Sequence, residues 1–323
     1  TDMETCYKLV RADILKQLRL QARSFTLEPE ITCRLAQWGA RIYEVPISYH
    51  GRTYQEGKKI RPVDGIKALW EMFRCRFLDP QFTSHSGFYI LTSMAKANGY
   101  NNWILQQAQK YLGKRMLEAG CGIGNLSGLL LNRERLVLAD YEPMYVSALE
   151  RKFGARENVR VDRADLCDPE DFSRWEEEQL DTVLCSNVLE HLEPDVQVLR
   201  NFHGVLTEGG HCVIVVPAGR WLYTPTDSEL GHCRRYEEAE LQEKMEQAGF
   251  EVVWNKRFSR LASVAWAFSG HVMRRKHISP RQMLWFERLL PVAKILDRVL
   301  PVSGMSLIMV GRKPKQARQR AAA

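Results

Sequence analysis

The sequence predicts an α/β protein, a doubly wound and mostly parallel sheet preceded by a partial α/β segment. Three observations carry this. From residue 114 onward, short apolar runs alternate with helix-period stretches, and strands alternating with helices make a parallel sheet. A three-glycine turn, "LEAGCGIGN" at 117–125, follows the first of those runs. Upstream, "LDPQFTSHSG" at 78–87 is rich in turn residues and has no period, so it reads as a boundary. The expected divisions are 1–78, 79–312 and a basic tail at 313–323, read as disordered.

Taken in order, the front segment opens with a short helical candidate at 14–20. "EPEITCRLAQWG" at 28–39 has Glu-Pro in its first turn and a closing glycine, both helix stops. "RIYEVPISY" at 41–49 alternates loosely and reads as a strand. "VDGIKALWEMFRCRF" at 63–77 reads as an amphipathic helix with Ile66, Leu69, Trp70, Phe73 and Phe77 on one side. After the boundary comes a helix at 101–113. The alternation follows: strand 114–120, helix 124–132, strand 135–140, helix 144–154, strand 158–165, strand 180–188, helix 195–206 and strand 209–217. "GFEVVWNKRFS" and "SLIMVGRK" are two late strands able to close the far edge of the sheet. Between them "RQMLWFERLLPVAKILDRVL" sets Trp285, Leu289, Val292, Leu296 and Val299 at helical spacing, which reads as a lid or dimer face over the sheet.

Composition bounds the function. With 45% hydrophobic and 26% charged residues in 323, the chain can bury a sizeable core in each of two domains. The formal charge of +7 is uneven. Residues 1–78 hold fourteen Lys/Arg against nine Asp/Glu, whereas 79–310 hold 27 against 30. The body is mildly acidic, so nucleic acid is not expected as a partner. The eight cysteines are scattered with no C-x-x-C pair and read as reduced core residues of a cytoplasmic protein. No apolar run approaches the ~18 residues that a membrane-spanning helix needs, and no signal peptide is visible. Arg274, Arg275 and Lys276 keep peripheral contact with the inner face of a membrane open. The chain opens at Thr1, and a processed product or fragment is expected.

The chemistry starts at the glycine turn. Gly120, Gly122 and Gly124 make G-x-G-x-G, which differs from the G-x-G-x-x-G of pyrophosphate-binding turns. Glu118, two residues before the first glycine, is placed to receive a cation such as an amino group. Asp140 ends the next strand about 20 residues on, where a carboxylate can accept both hydroxyls of a ribose. Asp165, in "RADL", ends the third strand beside an adenine-sized position. Together these residues describe a ligand with ribose, adenine and an amino-acid ammonium, and no phosphate.

That constellation resembles the class I S-adenosylmethionine-dependent methyltransferases. "LEAGCGIGN", "LVLADYEP", "RADLCD", "DTVLCSNVLEHLEP" and "LTEGGHCVIVVP" occur in that family's order over roughly residues 100–312. The resemblance implies S-adenosyl-L-methionine as cofactor, with Glu118 and Gly120 at the methionine end and Asp140 on the ribose. Asp165 and Leu166 would flank adenine, and Asn187 would face cofactor or acceptor. Such enzymes act largely by orienting a nucleophile against the sulfonium methyl, and need a base only when a hydroxyl must lose its proton. "NVLEHLEP" offers Glu190 and His191. Some quinone-pathway and RNA-end members carry E-x-x-E-H there and bind a metal. Asn187 stands where their first Glu would be, so no metal is expected. His191 reads equally as a structural residue at a strand end.

A second acceptor candidate is "LYTPTDSELGHCRRYEEAEL", where Asp227, His232, Arg234, Arg235 and Tyr236 crowd together. It resembles the D-x-x-x-G-H-x-R-R-Y segment of methyltransferases found with cell-surface polysaccharide genes. His232 and Tyr236 are candidate catalytic residues. Asp227, Arg234 and Arg235 are candidate substrate residues, since paired guanidiniums can grip a phosphate or carboxylate. The competing reading is a helix entry with solvated charges.

The front segment, through "EVPISY…R…GKKI", resembles the C-terminal part of family 2 glycosyltransferases of the polyprenyl-phosphate sugar synthase type. That implies Asp2 and Glu4 near the acceptor, with Arg52, Lys58 and Lys59 in a phosphate-closing cationic loop. The nucleotide-binding half of that fold does not appear in the sequence, so no glycosyltransferase activity is expected of this chain. The expected function is methyl transfer to an oxygen of a saccharide or lipid-linked saccharide, in a fusion with a glycosyltransferase. Two alternatives stay open: a parent that is chiefly a sugar transferase, and a non-catalytic cofactor-binding scaffold.

Overall fold

A computed structural model of the chain describes residues 7–16, 18–38, 40–48, 55, 61–79, 91–92, 94–95, 97–272 and 280–315. Asp2, Glu4, Arg52, Lys58 and Lys59 lie outside the described residues, as does the tail from 316. The chain divides into two compact units, Thr1–Tyr89 and Ile90–Ala323.

In the first unit, α1 spans Ala12–Leu15, α2 Leu27–Trp38 and α3 Pro62–Phe73, which runs on as a wider turn over Arg74–Leu78. Charge pairing, rather than apolar packing alone, joins them. Arg34 is fully buried and bonds Asp79 Oδ2 at 2.9 Å, and Arg74 bonds Glu30 Oε1 at 2.9 Å. One expectation fails here, and the helix expected at 63–77 forms with its apolar side turned outward. Residues 41–48 form no strand, because no ladder partner lies beside them among the described residues; Tyr43 and Val45 are exposed. The apolar side of α3 (Ile66, Leu69, Trp70, Phe73) faces outward, while Ala68 and Glu71 are the buried residues.

The second unit is a seven-stranded sheet in the order β3-β2-β1-β4-β5-β7-β6. The strands are β1 Arg115–Ala119, β2 Arg135–Asp140, β3 Val159–Arg163, β4 Leu180–Ser186, β5 Leu206–Pro217, β6 Glu251–Phe258 and β7 Ser306–Arg312. The first five pair in parallel, and β7 runs antiparallel between β5 and β6. The late strands thus close the far edge, as their sequence predicts.

Strand pleating sends alternate side chains to opposite faces. On one face Leu117, Val183, Ile214 and Met309 meet Val198, Leu199 and Phe202 of α6 (Asp195–Val205), together with Trp175. On the other, Met116, Leu184, Val213 and Val310 meet Tyr100, Trp103 and Ile104 of α4 (Asn98–Ala108) and Leu149 of α5 (Pro143–Phe153). Each such fully buried aliphatic contributes about 1.5–3 kcal/mol. With both faces covered, the carboxyl ends of β1, β2 and β4 are left as the open edge, where ligands of such sheets bind.

The expected helix at 124–132 is replaced by turns and a single 3₁₀ turn, Ser127–Leu129. Gly124 sits at φ +81° and Gly128 follows, so no continuous α-helical run can start. The long helix Pro280–Val299 (α10) forms, but its stripe is turned. Leu290, Ala293 and Asp297 are buried, whereas Trp285, Leu289, Val292 and Val299 are exposed. No helix among the described residues is long and apolar enough to cross a membrane.

Candidate active site

The glycine turn leaves β1 at its carboxyl end. Gly120, Gly122 and Gly124 all have positive φ, the left-handed region that side chains resist. At Gly120 the restriction is also steric: a Cβ there would stand 2.4 Å from Cγ2 of Val188. The turn is tied down by Asp140, whose Oδ2 accepts from the Gly122 amide at 2.7 Å and whose Oδ1 accepts from the Glu142 amide at 3.0 Å. A carboxylate has about four acceptor positions, so two remain for a ligand. Burial raises the Asp140 pKa against those amide bonds.

Glu118 lies just before the turn and is buried. Its Oε2 has no hydrogen-bond partner. Desolvation pushes its carboxyl up to about 8; the Asp140 charge adds to this, and the Ser127 hydroxyl works the other way. An unsatisfied buried acid of this kind is stabilised by an incoming cation. Asp165 Oδ1 caps its own loop through the Cys167 amide at 2.9 Å, and Leu166 beside it is buried. Asn187 follows β4 at φ +53°, exposed, with its backbone amide donated to the Val215 carbonyl.

The "LEH" turn after β4 and the "GHCRRY" segment come together although about 40 residues separate them. The Cys233 amide donates to the Glu190 carbonyl at 2.8 Å, and the Tyr236 hydroxyl donates to Asp195 Oδ2 at 2.9 Å. Glu190 is fully buried, and neither carboxylate oxygen has a hydrogen-bond partner. Desolvation pushes its carboxyl up to about 8. The rings of His191 and His232 are edge-to-face at 4.8 Å. Desolvation, then the neighbouring His232, pushes the His191 pKa down to about 4.

His232 Nδ1 lies 2.9 Å from Asp227 Oδ1. Asp227 is itself gripped by Arg235 Nε at 2.8 Å and by the Thr224 amide at 2.8 Å. Burial works against the charged Asp227, but His232 and Arg235 hold its pKa below the usual carboxylate range. Arg235, Tyr236 and Asp227 are all buried, and Arg234 Nη1 bonds Asp195 Oδ2 at 2.6 Å. These side chains are spent on one another. The residue that sequence reading missed is Asp195, which accepts from Tyr236, Arg234 and, at 2.5 Å, Lys244. It carries no motif, and only the fold reveals it as a hub.

Residues 117–212, from β1 into β5, match the family model described as a methyltransferase domain. A probable S-adenosylmethionine-dependent methyltransferase of Mycolicibacterium smegmatis is 31% identical over 149 residues, 45% of this chain and 55% of that one. A ubiquinone biosynthesis O-methyltransferase of Acinetobacter baumannii is 27% identical over 110 residues, 34% of this chain and 46% of that one. The chain therefore spans about half the length of the curated relatives it matches. A solved methyltransferase from Archaeoglobus fulgidus aligns at 20% identity over 70% of this chain and 99% of its own, with a TM-score of 0.48.

The chain carries a methyltransferase domain of the class I, S-adenosylmethionine-dependent type. S-adenosyl-L-methionine is the cofactor that this domain implies. The residues fit it: the orphaned Glu118 oxygen suits its cationic end, Asp140 keeps free acceptor positions, and the left-handed glycines let the turn pack where a Cβ would intrude on Val188, Leu91 and Phe153.

Proposed function

We propose that the chain transfers a methyl group from S-adenosyl-L-methionine to an oxygen of a saccharide or lipid-linked saccharide. The observation that carries the reading is the buried Glu118 carboxylate, whose Oε2 has no hydrogen-bond partner, beside the left-handed glycine turn and inside the segment that matches the methyltransferase domain. The cofactor, when bound, supplies an electrophilic methyl group.

The chain's own residues do the rest. Glu118 takes the ammonium, Asp140 takes the ribose hydroxyls, and Asp165 with Leu166 borders the adenine. Asn187 and the His191–His232 pair border the acceptor, whose hydroxyl must lose a proton. Asp227, Arg235 and Tyr236 act here as positioning residues, because each is buried and committed to a partner. The saccharide class rests on the likeness of the "GHCRRY" segment and of the front segment to sugar-pathway enzymes. The reading of residues 1–78 as part of a family 2 glycosyltransferase rests on the same sequence likeness.

The test is a tritiated-methyl transfer assay of the chain against lipid-linked and nucleotide-linked sugar pools. Label in the saccharide fraction supports the reading. Cofactor binding with no label in either pool supports the scaffold alternative instead.

A further inference from the structure

The long helix α10 carries two stripes. One packs inward through Leu290, Ala293 and Asp297. The other, made of Trp285, Leu289, Val292, Ile295 and Val299, is 47% to 69% exposed. At about 100° per residue these five side chains fall within about 120° of arc, the width of a helix face built to meet an apolar environment. They run about 21 Å along the axis, from the second turn to the last.

The helix is held from behind without that outer stripe. Glu287 Oε2 and Oε1 accept from the Gly99 and Tyr100 amides at 2.9 and 2.8 Å, at the start of α4. Asp297 Oδ1 accepts from the Arg260 amide at 2.7 Å, and Arg260 Nη1 donates to the Leu300 carbonyl. Phe286 meets Tyr100 edge-on at 5.5 Å. The exposed stripe is therefore surplus to the packing of the domain.

Charge decides what fits it. Glu287 and Asp297 are the only acids of α10, and both are held inward. Arg288 lies within the apolar arc, exposed, with its guanidinium 5.5 Å from the Trp285 ring. Arg298 is exposed about 60° beyond the edge of the arc. The sequence leading into the stripe, residues 269–286, holds Arg274, Arg275, Lys276 and Arg281 and no acid. An apolar stripe flanked by arginine, with tryptophan on it and no free carboxylate, matches the chemistry of a lipid interface. Aliphatic side chains enter the acyl boundary, tryptophan sits at headgroup level and guanidiniums meet phosphates. A second copy of this chain would bring the same cations to the same face and no acid to answer them.

We propose that α10 docks on an anionic lipid surface, its axis in the plane of the interface and its Trp285–Val299 stripe sunk to the acyl boundary. The binding does not depend on the methyl-transfer reading. Joined to that reading, it selects the lipid-linked saccharide over the free one as acceptor, and that further step rests on it.

The test is co-sedimentation of the full chain with phosphatidylcholine vesicles containing about one-third phosphatidylglycerol, beside vesicles of phosphatidylcholine alone. Binding to the anionic vesicles is expected to be tighter by about tenfold or more, and to weaken as salt rises. Leu289→Ser with Ile295→Ser changes exposed side chains, and is expected to lower vesicle affinity by about tenfold or more. Arg288→Glu with Arg298→Glu is expected to bring binding of anionic vesicles toward the level of neutral ones. Circular dichroism reports the fold of each variant, and S-adenosylmethionine affinity of the same samples tests the methyl-transfer reading separately. No binding to anionic vesicles, or undiminished binding by the Leu289→Ser, Ile295→Ser variant, overturns the proposal. A dimer of the parent chain that this variant dissolves assigns the face to a second copy, and overturns it as well.

Discussion

The carboxylate of Asp140, at the end of β2, accepts a hydrogen bond from the amide of Gly122 at 2.7 Å. One side chain thus fixes the shape of the turn after β1 and leaves acceptor positions free for a ligand. Asp140→Ala is expected to lower S-adenosylmethionine affinity by about 10–100-fold, the worth of one or two hydrogen bonds to a charged group. Isothermal titration checks this, and retained full affinity removes Asp140 from the ribose role.

The pH dependence of binding follows from Glu118. Its pKa is raised from 4.5 to about 8 by desolvation, so the ligand-free chain holds it protonated at neutral pH. A cationic ligand binds the carboxylate better, so affinity should climb by up to about tenfold per unit between pH 6 and pH 8. Glu118→Gln should flatten that climb and leave only the ligand's own ionisation. For stability the sign is opposite. A raised folded pKa contributes stability below pH 4.5 that is lost progressively as pH rises through about 8. Denaturant midpoints of the ligand-free chain should therefore fall less with pH in Glu118→Gln.

Gly120→Ala should destabilise the domain by about 1–3 kcal/mol, from the left-handed φ of +70° and from the close approach of Val188. Gly128→Ala is the control, since a Cβ there meets no atom within 4 Å. Urea unfolding that costs the two variants equally would contradict the strain at Gly120.

Arg235 and Asp227 form a buried pair at 2.8 Å. Arg235→Met leaves Asp227 buried with only His232 and Thr224 as partners, and should cost about 3–5 kcal/mol. The double change Arg235→Met, Asp227→Leu should recover part of that loss. If Arg235 instead gripped substrate, the single variant would keep its stability and lose only saccharide affinity.

Much of this was legible in the sequence, for physical reasons. Parallel strands are buried on both faces, so "RLVLAD" and "HCVIVVP" read as continuous apolar runs whatever surrounds them. The left-handed glycines were legible because few other residues tolerate that backbone. What sequence could not supply was partnership. Residues 41–48 carry strand-type alternation but join no ladder among the described residues. Leu290 and Ala293, not Trp285 and Val292, became the buried stripe of α10, because a helix's apolar period does not say which stripe meets the core. His232 lies 41 positions from His191, and only the docking of "GHCRRY" against "LEH" turns two motifs into one cluster. The same docking commits Arg235 and Tyr236 to buried partners, which a motif cannot reveal.

The central claim is that the open edge at β1 and β2 binds S-adenosyl-L-methionine. Calorimetric titration of the full chain with that cofactor at pH 8, beside Asp140→Ala, tests it most directly. One site per chain is expected, weakened at least tenfold in the variant. The absence of binding by the parent chain, or equal binding by both, would contradict it.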